Sequence, residues 1–307
     1  MEIIDLNDYE EKRYKTAIAL GNFDGIHIGH QYLIQDTVEK AKDRNLKSSI
    51  LLFKNHTKTI LNDPQDPKLG IITSNDQKID ILKELGIEIV YTIDFDDNIM
   101  KLTGKDFVDN IIIKKLNSKL VTIGFDYRFG HKALGDSKYL QELGNARGFD
   151  VNIVEPIYVN GQLVSSTLIR NLIHSGNIRK ANEYLGRHYA LLGAVIKGKN
   201  RGSKMGYPTA NIRLNHNYII PKTGVYETMT ILEDRQYRSL TNIGYNPTFN
   251  EDELKIENYI LDFNDNIYDK VIKVKFINFI RDDIKFNTTE ELIDQIEKDV
   301  ESIKKHE

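Results

Sequence analysis

The chain has 307 residues, enough for two domains with separate cores, and its 45 acidic against 42 basic residues leave a net charge of −3. That balance offers no basic face for nucleic acid or an anionic membrane surface, and no apolar run approaches the ~20 residues of a bilayer span. The lack of cysteine excludes disulfides and thiol catalysis and suits a reducing compartment; with the charged start Met1-Glu2-Ile3-Ile4-Asp5 carrying no secretory signal, a cytoplasmic protein is expected.

The first chemical pattern lies near the start. Ala17-Ile18-Ala19-Leu20 reads as a buried strand, Gly21-Asn22-Phe23-Asp24-Gly25-Ile26-His27-Ile28-Gly29-His30 as a tight loop, and Leu33, Ile34, Val38 and Ala41 as the apolar face of a helix. Glycines permit a close backbone approach, and the amides opening the helix point into the loop. Gly21, Asn22, Phe23, Asp24 and Gly25 are therefore expected to cradle phosphate. His27 and His30, three residues apart, can face one anionic group and donate hydrogen bonds as charge develops. The chemistry implied is nucleotidyl transfer, with attack on an α-phosphate and departure of pyrophosphate. A glycine turn after a strand is common and a lone histidine is usually structural; a His-x-Gly-His between glycines is a narrower coincidence. Zinc is not expected, because two histidines and no cysteine fall short of its four ligands.

Further along, Ser49 to Phe53 is a strand running into Lys54-Asn55-His56-Thr57, which makes His56 a candidate for the same pocket, with a surface loop as the alternative. A helix over Lys78 to Leu85, a strand over Ile87 to Tyr91 and a helix over Lys105 to Leu116 continue the βαβ rhythm of a parallel sheet. The strand Leu120 to Ile123 enters Gly124-Phe125-Asp126-Tyr127-Arg128-Phe129-Gly130. There Gly124 and Asp126 are expected on ligand or Mg²⁺, and Arg128 on phosphate or on Asp126. After a helix over Asp136 to Ala146 and a strand over Val151 to Val154, Ser165, Ser166 and Thr167 cap a helix whose first turn carries Arg170, a second place for phosphate. A further helix over Ile178 to Tyr184 ends at Gly186, giving domains of 1–186 and 187–307.

From Tyr189 the periodicity turns to strands. Gly198, Gly202 and Gly206 recur at four-residue intervals around Lys199, Arg201 and Lys204, which suits a loop wrapped over phosphates, or a basic surface loop; no Gly-Lys-Ser/Thr makes it a P-loop. Pro208, Thr209 and Asn211 follow. On an extended backbone Thr209 and Asn211 point to one side, placed for Mg²⁺ or a terminal phosphate. Gly224-Val225-Tyr226, a turn over Thr241 to Thr248, a strand opening at Glu257 and running through Phe263, and the apolar run Val271 to Ile280 suggest a small closed barrel. The tail is a packing helix with Thr288 and Glu291 as a capping box and Leu292, Ile296, Asp299 and Val300 along one stripe.

Taken together, these segments resemble the bacterial bifunctional riboflavin kinase/FMN adenylyltransferase (FAD synthetase) family over nearly the whole chain. Gly21 to His30 matches Gly-Asn-Phe-Asp-Gly-x-His-x-Gly-His, and Gly124 to Gly130 resembles Gly-x-Asp-Phe-x-Phe-Gly. Ser165 to Arg170 matches Ser-Ser-Thr-x-Ile-Arg, Gly206 to Asn211 Gly-x-Pro-Thr-Ala-Asn, and Asn242 to Thr248 Asn-Ile-Gly-x-x-Pro-Thr. The resemblance implies a Rossmann-like nucleotidyltransferase domain with a parallel sheet, followed by a Greek-key riboflavin kinase barrel with a terminal helix. It implies that His27 and His30 neutralise ATP phosphates while Asn22, Asp126 and Arg170 place nucleotide, FMN phosphate or metal. In the barrel Thr209 and Asn211 would position Mg-ATP, Glu257 would be general base toward riboflavin, and Asn242 and Arg281 would lie near the flavin or nucleotide. ATP, Mg²⁺, riboflavin, FMN and FAD are the implied ligands, with small molecules rather than nucleic acid or membrane as partners and a monomer or weak homo-oligomer as the assembly. Phe53-Lys54-Asn55-His56-Thr57 departs from Phe-x-Pro-His-Pro, Tyr259 stands where histidine is expected, and Arg281-Asp282-Asp283 replaces Arg-x-Glu. Two rivals make different products: a kinase with a repurposed first domain yields FMN alone, and a flavin- or nucleotide-binding regulator turns nothing over.

Overall fold

The computed structural model describes residues 1–8, 14–54, 70–198, 206–246 and 251–304. Contacts divide the chain into two compact units, Met1–Leu69 with Thr73–Ser166, and Gly70–Ile72 with Thr167–Glu307.

The first unit is a six-stranded parallel sheet, ordered β1-β4-β3-β2-β5-β6, from β1 (Glu2–Asp5), β2 (Thr16–Leu20), β3 (Lys47–Phe53), β4 (Ile89–Ile93), β5 (Ser118–Gly124) and β6 (Asp150–Val154). Helices α1 (Ile28–Asp43), α2 (Asn75–Glu84), α3 (Asp97–Lys101), α4 (Gly104–Phe107) and α5 (Ser137–Arg147) form the connections. Every residue of β2 is buried, the signature of a central parallel strand covered on both faces. Ile18, Leu20, Val121 and Ile123 join one core layer with Tyr91, Phe107 and Phe129, while Ala19, Ile50 and Leu52 join the other with Phe23, Ile26 and Ile34. The helix expected over Lys105 to Leu116 is α-helical only through Phe107 and continues as a wider π-helix over Val108–Lys115. A short hairpin, β7 (Tyr158–Val159) with β8 (Gln162–Leu163), turns at Asn160 and Gly161, both of positive φ.

The second unit carries α6 (Ser166–His174) from Thr167 onward, α7 (Ile178–Leu185), and a closed barrel ordered β10-β13-β12-β11-β14-β9. Its strands are β9 (Tyr189–Ile196), β10 (Thr209–Leu214), β11 (Gly224–Leu232), β12 (Arg235–Asn246), β13 (Glu251–Ile260) and β14 (Val271–Arg281). Alternate residues of β9 are buried, as expected for a strand with one face inward. Asn182 of α7 ties helix to barrel, donating to Phe276 O at 2.9 Å and accepting from Tyr189 N at 2.7 Å. Residues 70–72 belong here too: Ile71 N donates to Asn217 O at 2.8 Å and Ile219 N donates to Ile71 O at 2.9 Å. Helix α8 (Thr289–Lys304) lays Val300 and Ile303 against Val225, Leu240 and Leu261.

Two readings of the barrel sequence need correction. Thr241 to Asn246 is strand rather than turn, because β11 and β13 satisfy its backbone groups despite the Asn and Gly residues. Glu257 lies well inside β13, which ends at Ile260. The tail helix has half its expected box: Glu291 N donates to Thr288 Oγ1 at 3.2 Å, while the Glu291 carboxylate takes Asn287 N at 2.9 Å.

Candidate active site

In the first unit β2 ends at Leu20 and the chain turns through left-handed backbone at Phe23 (φ 46°), Gly25 (φ 85°) and Ile26 (φ 35°) before α1. A positive φ at phenylalanine or isoleucine is strained, and it is held because both side chains are fully buried. His27 is the N-cap of α1, its Nδ1 accepting from His30 N at 3.3 Å. With Nδ1 accepting, a ring proton belongs on Nε2, the nitrogen that donates. The His27 and His30 rings stack at 3.7 Å between centroids, and Phe23 meets His30 edge-on at 5.3 Å. A Cβ on Gly29 would stand 3.3 Å from the His27 ring, so the glycine lets the stack lie against the helix start. Asp24 is buried, with Oδ1 accepting from Thr73 N at 3.3 Å, and its carbonyl accepts from Ser166 Oγ at 2.8 Å. Ser166 and Asp24 thus brace the loop, while Asn22 is exposed.

Asp126 and Arg128 are exposed on the turn after β5, and a Cβ on Gly124 would lie 3.4 Å from Asp126 Oδ1. Arg128 faces Asp136 at 4.0 Å, not Asp126. Between them Tyr127 stacks parallel to Phe129 at 6.0 Å, and burial pushes its phenol pKa up. Helix α6 begins at Ser166, so Ser166 and Thr167, expected as caps, lie in its first turn; Ser165 is half-buried just ahead and Thr167 is exposed. In the second unit, Arg170 is buried and its Nε donates to Gly70 O at 3.3 Å.

The barrel collects the second set by register. Asn211 of β10 lies opposite Glu257 of β13, and Glu257 lies opposite Asn242 of β12, so three polar side chains form one row across three strands. Thr209, two residues before Asn211 and opposite Tyr259, shares that face, while Ala210 and Ile212 are buried between. A Cβ on Gly198 would come within 2.1 Å of Asn211 Nδ2, so only glycine lets the chain cross that amide. Asn242 Oδ1 is buried and meets no hydrogen-bond donor among the described residues. Gly206 has φ 86° and Pro208 is exposed just before β10. Arg281 is engaged: its Nε lies 3.0 and 3.1 Å from the two Asp299 oxygens and Nη2 donates to Oδ2 at 2.8 Å. Asp299, which the sequence offers only as part of a packing stripe, is the buried anchor of that pair, and Gln295 Nε2 adds a bond at 2.9 Å. A carboxylate set within the apolar stripe of Leu292, Ile296 and Val300 was the only signal for it. His56 and Lys204 lie outside the described residues. Groups of metal-ligating acids, histidines or cysteines are absent among the described residues, and none of the helices among them is long and apolar enough to cross a membrane.

Comparison with known proteins follows the same division. The FAD synthetase family model matches residues 9–168 and the riboflavin kinase family model residues 185–306. The bifunctional riboflavin kinase/FMN adenylyltransferase of Listeria monocytogenes is 38% identical, covering 92% of this chain and 90% of its own. That of Bacillus subtilis is 36% identical, covering 94% and 92%. A solved structure described as a macrolide-efflux protein from Streptococcus pneumoniae has a TM-score of 0.88 at 32% identity over 98% of each chain. With both family models in order and relatives aligned end to end, the chain belongs to the bacterial bifunctional riboflavin kinase/FMN adenylyltransferase family, the enzymes of FAD synthesis.

Proposed function

We propose that residues 187–307 carry the riboflavin kinase step and residues 1–186 the adenylyl transfer, with the row Asn211–Glu257–Asn242 as the observation that carries the reading. The chain phosphorylates riboflavin with ATP to FMN and ADP, then adenylylates FMN with a second ATP to FAD and pyrophosphate. In the kinase step the ribityl 5′-hydroxyl of riboflavin attacks the γ-phosphorus. Glu257 takes the hydroxyl proton as the new P–O bond forms and the bond to the ADP oxygen breaks. A primary alcohol is a poor nucleophile, so the carboxylate acts where catalysis needs it.

The family's chemistry depends on ATP and Mg²⁺. Neutral oxygens from Thr209 and Asn211 beside a carboxylate suit that hard cation, and the buried Asn242 Oδ1 marks a further oxygen on the same row. When bound there, Mg²⁺ would screen the negative charge of the phosphates. Gly198, pressed on Asn211, brings backbone to the same place; Gly206, Pro208 and Lys204 are assigned to phosphate binding and Arg281 to the flavin or nucleotide.

In adenylyl transfer an FMN phosphate oxygen attacks the α-phosphorus of ATP and the bond to the pyrophosphate oxygen breaks. His27 and His30 stabilise the charge that develops, together with the start of α1. Asn22, Asp126, Arg128, His56, Ser165, Thr167 and Arg170 bind nucleotide, FMN phosphate or metal. The substrates are small molecules, and a chain without cysteine suits the reducing cytoplasm.

The purified chain, incubated with riboflavin, ATP and Mg²⁺, forms FMN first and FAD after it, read by separating the flavins over time. Glu257→Gln lowers the first step ~10²–10⁴-fold and leaves conversion of supplied FMN to FAD intact. Normal FMN formation by this variant would remove Glu257 from the mechanism.

A further inference from the structure

Inside the barrel, where small closed barrels carry apolar side chains, Thr228, Thr230, Ser239, Thr241 and Asn258 are at most 1% exposed. They form a closed circuit. Thr241 Oγ1 and Thr228 Oγ1 are 2.8 Å apart, Thr228 Oγ1 and Ser239 Oγ 2.8 Å, and Ser239 Oγ and Thr230 Oγ1 2.8 Å. Thr230 Oγ1 is 2.9 Å from Asn258 Oδ1, and Asn258 Nδ2 donates to Thr241 Oγ1 at 2.9 Å. Asn258 Oδ1 can only accept, so Thr230 donates to it. Thr230 Oγ1 also stands as donor to Ser239 Oγ, and Thr228 Oγ1 can donate to the Ser239 carbonyl at 3.1 Å as well as to a neighbouring hydroxyl, so the protons are shared among the five side chains. Hydrogen bonds linked in one buried cluster polarise one another.

Stability does not explain the ring. Replacing both partners of a buried hydrogen bond with apolar groups of the same shape is commonly neutral or stabilising. Position does. Thr241 and Asn258 are direct cross-strand partners, and the next residue on β12 and the one before on β13, Asn242 and Glu257, are also direct partners. Side chains alternate between faces, so the ring grips the inner side of the same two strands whose outer side carries Asn242 and Glu257. A slip or a change in strand tilt breaks the circuit, whereas an apolar contact tolerates it.

We infer that this hydrogen-bonded ring is a positioning device for the kinase step, with Asn258 and Thr241 as positioning residues that hold the Glu257 carboxylate in its reactive orientation. The inference rests on the Glu257 reading above. The test is the full chain carrying Thr230→Val, Thr241→Val and Asn258→Leu together, which removes three members of the ring and leaves Thr228 and Ser239 bonded to each other.

The expected result is a fall of at least ~10-fold in kinase kcat with riboflavin KM within about twofold, because a misaimed base slows chemistry without weakening binding. Its thermal midpoint is not lowered and FMN-to-FAD turnover is unchanged. A folded triple variant with full kinase kcat overturns the inference. If the triple variant does not fold, Thr241→Val is compared with Thr241→Ser, which keeps the hydroxyl: loss of kcat in the first and its retention in the second supports the ring, and equal turnover overturns it. Glu257→Gln is assayed beside them. Loss of activity there with full activity in the triple variant sinks the positioning role alone, while full activity in Glu257→Gln sinks the Glu257 reading and the inference with it.

Discussion

In the first unit the histidines hang from a loop whose backbone is left-handed at Phe23, Gly25 and Ile26, whereas in the second Asn211, Glu257 and Asn242 hang from three paired strands. The loop site is fixed by burial of its own side chains and by bonds to Asp24 from Thr73 and Ser166. The strand site is fixed by register, which every rung of the ladder reinforces. A loop can therefore be re-aimed by one backbone change, while a strand site fails when a neighbour collides with it or when its strand slips.

The largest effect that separates the two is at His27. His27→Ala removes a helix cap and half of the ring stack. FAD formation from FMN should fall ~10²–10³-fold, as for loss of an anion-stabilising donor, with FMN formation unchanged. Equal loss of both activities in this variant would mean that the sites are not independent. Gly198→Ala is the mirror experiment. Its Cβ would meet Asn211 Nδ2 at 2.1 Å, and the displaced amide should lower kinase turnover up to ~10²-fold while adenylyl transfer persists. Unchanged kinase kinetics would show that Asn211 does not have to stay where register puts it.

Much of this was legible in the residues. The buried strand Thr16–Leu20, the loop and α1 follow from an apolar run, glycines and 3.6-residue periodicity, and the alternation around Thr209 and Asn211 was enough to put both on one face. What was not legible depends on partners remote in sequence. Thr241 to Asn246 carries turn-forming residues and is strand only because β11 and β13 flank it. Arg281 gives no local sign that Asp299, eighteen residues later, will take its guanidinium. The five ring residues look like ordinary polar positions of exposed strands until the barrel closes and turns them inward. β1 was hidden because Glu2–Asp5 is too short to show a period and gains its place by pairing with β4.

Smaller effects sharpen the comparison. Gly25→Ala puts a side chain at φ 85° and should destabilise the first unit by ~1–2 kcal/mol, read in denaturant unfolding followed by a probe in that unit. No shift there would mean that the loop relaxes freely and that its left-handed turns do not set the histidines. At Glu88, burial raises the carboxyl pKa but hydrogen bonds from Lys47 and Ser48 outweigh it, leaving the group below its ordinary 4.5. A depressed carboxyl stabilises the fold above its unfolded pKa and loses that contribution as pH falls through the folded value. Glu88→Gln should therefore lower the stability of the first unit slightly at neutral pH, and the difference from the parent should shrink as pH falls through the Glu88 pKa, read by denaturant unfolding at a series of pH values.

The small pairing of residues 70–72 with 217–219 sets the terms on which the two activities could ever have been separate genes. A reading frame opened at Thr167 would encode the whole barrel, yet Asn217 O and Ile219 N would lose Ile71, and Arg170 Nε would lose Gly70 O. The seat for that segment is tight: a Cβ on Gly70 would come within 2.3 Å of Ile219 N, so a substitute peptide must present glycine there. The second compact unit is thus discontinuous, taking residues 70–72 from within the span of the first, and a recombination point between the two units cannot be a single cut.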